Sequence, residues 1–168
     1  MSLRKLKTPV PQALVQVSDE EGFPVRGLSP THVIGLYYRH TGQLSALFER
    51  LAEAHQSGGN VDTGDIQTMV VELLREAPLI MAEVIALASG SDAADEIEAT
   101  DDAGEPLGMT NWEADVEIAK TLSFPVQADA LTKIGNLTFT SDMPPGKFFA
   151  LIAGAVNKAV ALRPKSET

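Results

Sequence analysis

Cysteine is absent from this 168-residue chain, which removes disulfide frameworks, thiolate nucleophiles and cysteine-based zinc or iron–sulfur sites. Basic residues are scarce. Thirteen Lys and Arg stand against 23 Asp and Glu, for a net charge of −10 that repels phosphate backbones and anionic headgroups. Neither nucleic acid nor a membrane surface is therefore an expected partner. Long apolar runs are missing too. The strongest late one, residues 148–156, is too short to span a bilayer and reads as a buried helix, and the basic first twelve residues lack the apolar run of a signal peptide. The expectation is a soluble, intracellular protein.

Reacting groups are equally sparse. His32, His40 and His55 lie eight and fifteen residues apart, so none forms the i, i+4 pair that sets two imidazoles on one metal. The Asp-Thr-Gly string at residues 62–64 occurs once, whereas aspartic-protease chemistry needs two carboxylates sharing a proton. Asp62, with Asp65 behind it, reads instead as a helix cap. Neither a nucleophile elbow nor a phosphate-binding glycine loop is present. The acidic run at residues 92–105 lacks the ligand order of a calcium-binding loop. The sequon at Asn136 falls on an apolar helix face. No enzyme, cofactor or metal is expected.

What the chain does have is amphipathic surface. Residues 13–17 alternate like a half-buried strand, residues 19–22 are turn chemistry, and residues 23–26 read as the returning strand of a hairpin. The chain then turns through Arg26, Gly27 and Leu28. Ser29 and Pro30 form an N-cap with proline at the first helical position, opening a helix expected to reach about His55. Its buried stripe is Val33, Tyr37, Leu44, Leu47, Phe48 and Leu51. Gly35 and Gly42 lie on nearly one face, each weakening the helix by roughly 1 kcal/mol relative to alanine. That cost suggests close packing, so Gly35, Tyr38, Gly42 and Phe48 are the candidate residues for partner binding or self-association.

Residues 57–60 end that helix, and Asp62 caps a second one carrying Ile66, Met69, Val70, Leu73 and Leu74. Pro78 opens a third, although the apolar rhythm from Ile66 to Leu87 runs across it, so one kinked helix is the alternative. Seven of the fourteen residues from 92 to 105 are acidic and none is basic, which predicts a mobile acidic loop over residues 91–109. Thr110 and Glu113 make a capping box for a helix through Trp112, Val116, Ile118 and Ala119 to about Leu122. Pro125 opens the next, with Val126, Ala130, Leu131, Ile134 and Leu137 inward, and Pro144 and Pro145 precede a last helix over about residues 146–162. The expected fold is mainly α, a bundle of about five or six helices. It comprises an N-terminal arm and short β-hairpin (residues 1–28), a helical domain (residues 29–162) and a disordered tail (residues 163–168).

The run Arg26-Gly27-Leu28-Ser29, the helix with His40, Leu44 and Phe48, then Ala77-Pro78-Leu79-Ile80 and Ile85-Ala86-Leu87-Ala88-Ser89-Gly90 resemble the tail assembly chaperones of long-tailed bacteriophages, also called pre-tape-measure proteins. The later part is similar as well, through Leu122, Pro125, Gln127, Ala130-Leu131 and Leu137-Thr138-Phe139. The likeness covers roughly residues 17–162. It implies an all-helical protein of the host bacterial cytoplasm, absent from the mature virion, that forms homo-oligomers. Such a protein binds the tape measure protein, keeps it soluble and helps the tail tube protein polymerise around it. A helical structural or adaptor protein of a phage particle is the alternative.

Overall fold

The computed structural model of the chain describes residues 10–44, 77–94, 96–144, 147–148, 150–152 and 154. Strands β1 (Gln12–Gln16) and β2 (Gly22–Arg26) pair antiparallel, with Ala13 opposite Val25 and Val15 opposite Phe23. This is the hairpin the alternation predicts. Val15 and Val25 are fully buried, while Leu14, one residue out of phase, stays exposed, because side chains alternate faces along a strand. The turn is tight. Val17 and Ser18 both donate backbone N–H bonds to the Glu21 carbonyl, and Glu21 N–H donates to Ser18 Oγ.

Helix α1 (Pro30–Arg39) starts at Ser29, whose hydroxyl accepts from His32 N–H at 3.2 Å, while His32 Nδ1 accepts from Ser29 N–H at 3.4 Å. Imidazole thus fills the role that Glu or Gln plays in the usual capping box. The helix is shorter than the pattern suggested. It stops at His40, beyond which Thr41 Oγ1 donates to the carbonyls of Tyr37 and Tyr38 and so competes with the helical ladder. Residues 41–44 are helical again. The expected continuation to His55, with Leu47, Phe48 and Leu51, lies outside the described residues. So do the second helix after Asp62, the first nine residues and the tail over residues 163–168.

Helix α2 (Pro78–Ser89) is the centre of the molecule. Ala77 has non-helical dihedrals, so the helix opens afresh at Pro78. Ile80, Met81, Ala82, Ile85, Ala86, Leu87 and Ala88 are all buried, as befits a helix apolar around most of its circumference. It packs against β2 and two later helices, α3 (Asn111–Thr121) and α4 (Phe124–Thr138). Ala130, Leu131 and Ile134 of α4 carry its buried face, and Lys133 Nζ donates to the Leu14 carbonyl, tying α4 to β1. Phe148 and Ile152, both helical, complete the described core from the expected last helix.

The fold is mixed α/β rather than the mainly α bundle expected, because the acidic segment carries a second sheet. Strands β3 (Glu98–Thr100) and β4 (Pro106–Thr110) pair antiparallel around a turn organised by Asp101, whose Oδ1 accepts N–H bonds from Ala103 and Glu105, both at 2.9 Å. Gly104 supplies the left-handed residue at φ 82°, a conformation other residues rarely adopt. Counting charges over this stretch misses that a side chain bonding its own turn specifies a hairpin without a large apolar face. Ala99 is its buried anchor.

Candidate docking groove

Three elements meet at the C-terminal end of α2 and leave an open concavity of about 640 Å³. Its floor is Ile85, Ala86, Ser89 and Gly90, the one large side chain, Ile85, being buried. The last turn of α2 carries Ala86 and Ser89, and Gly90 caps it at φ 114°, with Ser91 N–H donating back to the Ala86 carbonyl. This closure satisfies the last helical carbonyls and turns the chain away from the helix end. A side chain at position 90 would also meet the Arg26 guanidinium, 3.2 Å from where its Cβ would lie.

One wall is the turn of the first hairpin. Val17 and Phe23 flank Gly22, where a Cβ would lie 2.6 Å from the Val15 carbonyl oxygen. The other wall is α3, opened by the expected capping box: Glu113 N–H donates to Thr110 Oγ1 at 3.2 Å, and Thr110 N–H donates to Glu113 Oε2 at 2.8 Å. Val116 and Ala119 face the core. Ile118, one position from Ala119 and therefore turned about 100° around the helix, is 60% exposed and lines the groove with Trp112 and Leu122. Val17 across from it is 43% exposed.

Trp112 is held from behind. The Arg39 guanidinium carbon lies 5.3 Å from its ring centre, a cation–π distance, while Arg39 Nη1 donates to Glu83 Oε2 at 3.0 Å. Glu83 is buried in the otherwise apolar α2. His40 Nε2 lies 3.1 Å from the same oxygen, without hydrogen-bond alignment. Sequence reasoning passed over Glu83. The available signal was a single acid inside the run Ile80-Met81-Ala82-Glu83-Val84-Ile85, since a charge on a helix apolar all round must find a partner.

Charge is one-sided around the groove. Glu21 stands on the hairpin wall, Asp92 at the end of the floor and Asp115 on α3, where Ser91 Oγ donates to Asp115 Oδ2. Among the described residues that line it there is no Lys or Arg. Among all described residues, no group of three or more His, Asp or Glu side chains is arranged to hold a metal ion, and no helix is long and apolar enough to cross a membrane.

The candidates chosen from sequence fall elsewhere. Gly35 is half-buried and lines a second, more polar concavity of about 450 Å³ with Arg26, His32 and Arg39. Burial first, and then Arg26, pull the His32 pKa below its ordinary 6.5, with Asp92 opposing. The neutral ring this favours can keep accepting the Ser29 N–H. Gly42 is exposed, and Tyr38 is 49% exposed with its ring edge-on to Tyr37. A Cβ at Gly35 or Gly42 would meet nothing within 4 Å. The close packing expected at these glycines is therefore not made by the described residues. Phe48 lies outside the described residues.

Comparison with known proteins adds one match. A family model described as Pre-tape measure protein covers residues 1–168, the whole chain. No curated protein and no solved structure matches.

Proposed function

The chain belongs to the pre-tape measure protein family, a phage tail-related protein associated with the tape measure, and on that premise we propose that it is a tail assembly chaperone. It binds exposed amphipathic helix of the tape measure protein, keeps that long chain soluble in the host bacterial cytoplasm, and promotes polymerisation of the tail tube protein around it. The observation that carries this reading is the open apolar groove between the hairpin turn and α3. Val17 and Ile118 expose large apolar surface there on a chain whose −10 charge favours solubility.

The physical logic is mass action. A tape measure chain exposes long stretches of apolar helix before a tube encloses it, and a binder that covers them lowers the concentration of aggregation-prone states. One helical face in one groove gives a modest site, but many copies along one rope add avidity without any tight single contact. No bond is made or broken, so the protein works as a binder and not as an enzyme.

Co-expression with a tape measure protein tests the reading. The soluble fraction of the partner should rise several-fold, and an unchanged fraction rejects chaperone activity. Mass spectrometry of purified virions separates it from the structural or adaptor alternative, because a chaperone leaves before the particle is complete.

Self-association is part of the same proposal, with Gly35 and Tyr38 of α1 and Gly42 just beyond it as its surface. Leucine at Gly35 and Gly42 would fill that space. The oligomer measured by light scattering should then become smaller, and an unaltered size would remove these residues from the contact.

A further inference from the structure

We propose that the groove selects its occupant by charge as well as by shape, taking an amphipathic helix whose apolar stripe is flanked by Lys or Arg. This rests on the chaperone reading and names the chemistry of the partner segment. On the α2 side the floor is Ile85 and Ala86, both buried, with Ser89 and Gly90, so little side chain protrudes and a cylinder of helix diameter can settle with its backbone close to α2. Ile118 and Val17 rise on opposite walls, 60% and 43% exposed, and supply the apolar contact that anchors at i, i+3, i+4 and i+7 require.

The rim then discriminates. Glu21 on one wall, Asp115 on the other and Asp92 at the end put carboxylates along both flanks of whatever lies in the groove. Among the described residues no Lys or Arg lines the groove itself, Arg26, whose guanidinium lies beside Gly90, belonging to the neighbouring concavity, and the chain as a whole carries −10. A helix flanked by Glu or Asp meets like charge on both sides, whereas one flanked by Lys or Arg meets opposite charge. Across an interface, such juxtaposition governs choice of partner and rate of encounter more than it adds raw affinity.

The test uses the full-length protein and labelled synthetic peptides of about 18 residues, five helical turns. All carry one leucine stripe and differ only in flanks of Lys, Gln or Glu. Fluorescence anisotropy should rank them Lys, Gln, Glu, with the Glu peptide at least about tenfold weaker than the Lys peptide and the gap closing in high salt. The double variant Glu21→Lys/Asp115→Lys should reverse the ranking, and Ile118→Asp should abolish binding of all three, each with an unchanged circular dichroism spectrum. Equal affinities for the three peptides, or a ranking that the double variant leaves as it was, overturn the proposal. So does an Ile118→Asp protein that changes oligomer size yet binds peptide normally, since the groove would then be a contact between copies. If co-expression rescues the tape measure protein while the peptides fail to discriminate, the charge rule falls and the chaperone stands. If the peptides rank as stated without rescue, the groove keeps its ligand and the chaperone role is lost.

Discussion

Replacing Gly27 by alanine is expected to destabilise the protein by about 2–3 kcal/mol and to lower its melting temperature by roughly 5–10 °C. The cause is local and lies entirely in backbone. A Cβ at Gly27 would sit 2.6 Å from the Leu137 carbonyl oxygen, 2.8 Å from the Leu137 carbonyl carbon and 3.0 Å from Thr138 N. None of these atoms belongs to a side chain that can swing aside, so either β2 or the end of α4 must move. The next residue fixes the approach, since Leu28 N–H donates to Thr138 Oγ1 at 2.9 Å. Displacement would weaken that bond and shift the hairpin whose turn carries Val17, Glu21 and Phe23, one wall of the groove. Loss of peptide binding should therefore accompany loss of stability. Gly35→Ala is the matched control: its Cβ meets nothing within 4 Å and it lies in α1, so helix propensity alone should stabilise the protein by about 0.5–1 kcal/mol. Equal melting temperatures for the two variants would reject the close contact at Gly27.

Gly27 also shows where sequence reading reaches and where it stops. The turn at Arg26, Gly27 and Leu28 was legible, as was every described helix start that rests on short-range chemistry. Ser29 with Pro30, Pro78, Thr110 with Glu113, and Pro125 each stand where a helix begins. These signals act within four residues, so one chain displays them in full. The reason Gly27 must be glycine is a carbonyl 110 residues away, which no local pattern carries. The same holds for Gly35 and Gly42, where the glycines were visible but the space around them was not.

The β3–β4 hairpin failed for a different reason. Its strands are short and bury little beyond Ala99, and half of residues 92–105 are acidic, so composition spoke for a mobile loop while the Asp101–Gly104 turn spoke for a hairpin. The specific signal outweighed the average one. The groove was only half visible. Trp112, Ile118 and Leu122 were read as one helical stretch, but that Ile118 and Val17 line one concavity with the end of α2 depends on how three elements pack.

The strongest electrostatic effect should come from Arg39 and Glu83. Arg39→Met leaves the Glu83 carboxylate, 9% exposed, beside a His40 ring that is not aligned to donate to it. Breaking a buried pair in this way costs about 3 kcal/mol or more when the stranded charge has no escape. Glu83→Met should cost less, because the Arg39 side chain is 38% exposed and can turn to water. The double variant Arg39→Met/Glu83→Met should recover most of the loss, since a methionine on α2 extends the apolar environment of Ile80 and Leu87 and leaves no charge behind. Chemical denaturation of the four proteins closes the cycle, and simple additivity of the two single losses would mean that the pair is not coupled. The same variants separate stability from recognition. Arg39 lies against Trp112, so the double variant regains stability while losing the cation that backs this ring. Weaker peptide binding by the stable double variant would show that Arg39 positions Trp112 for the groove, whereas wild-type affinity would confine the pair to holding α1 on α2.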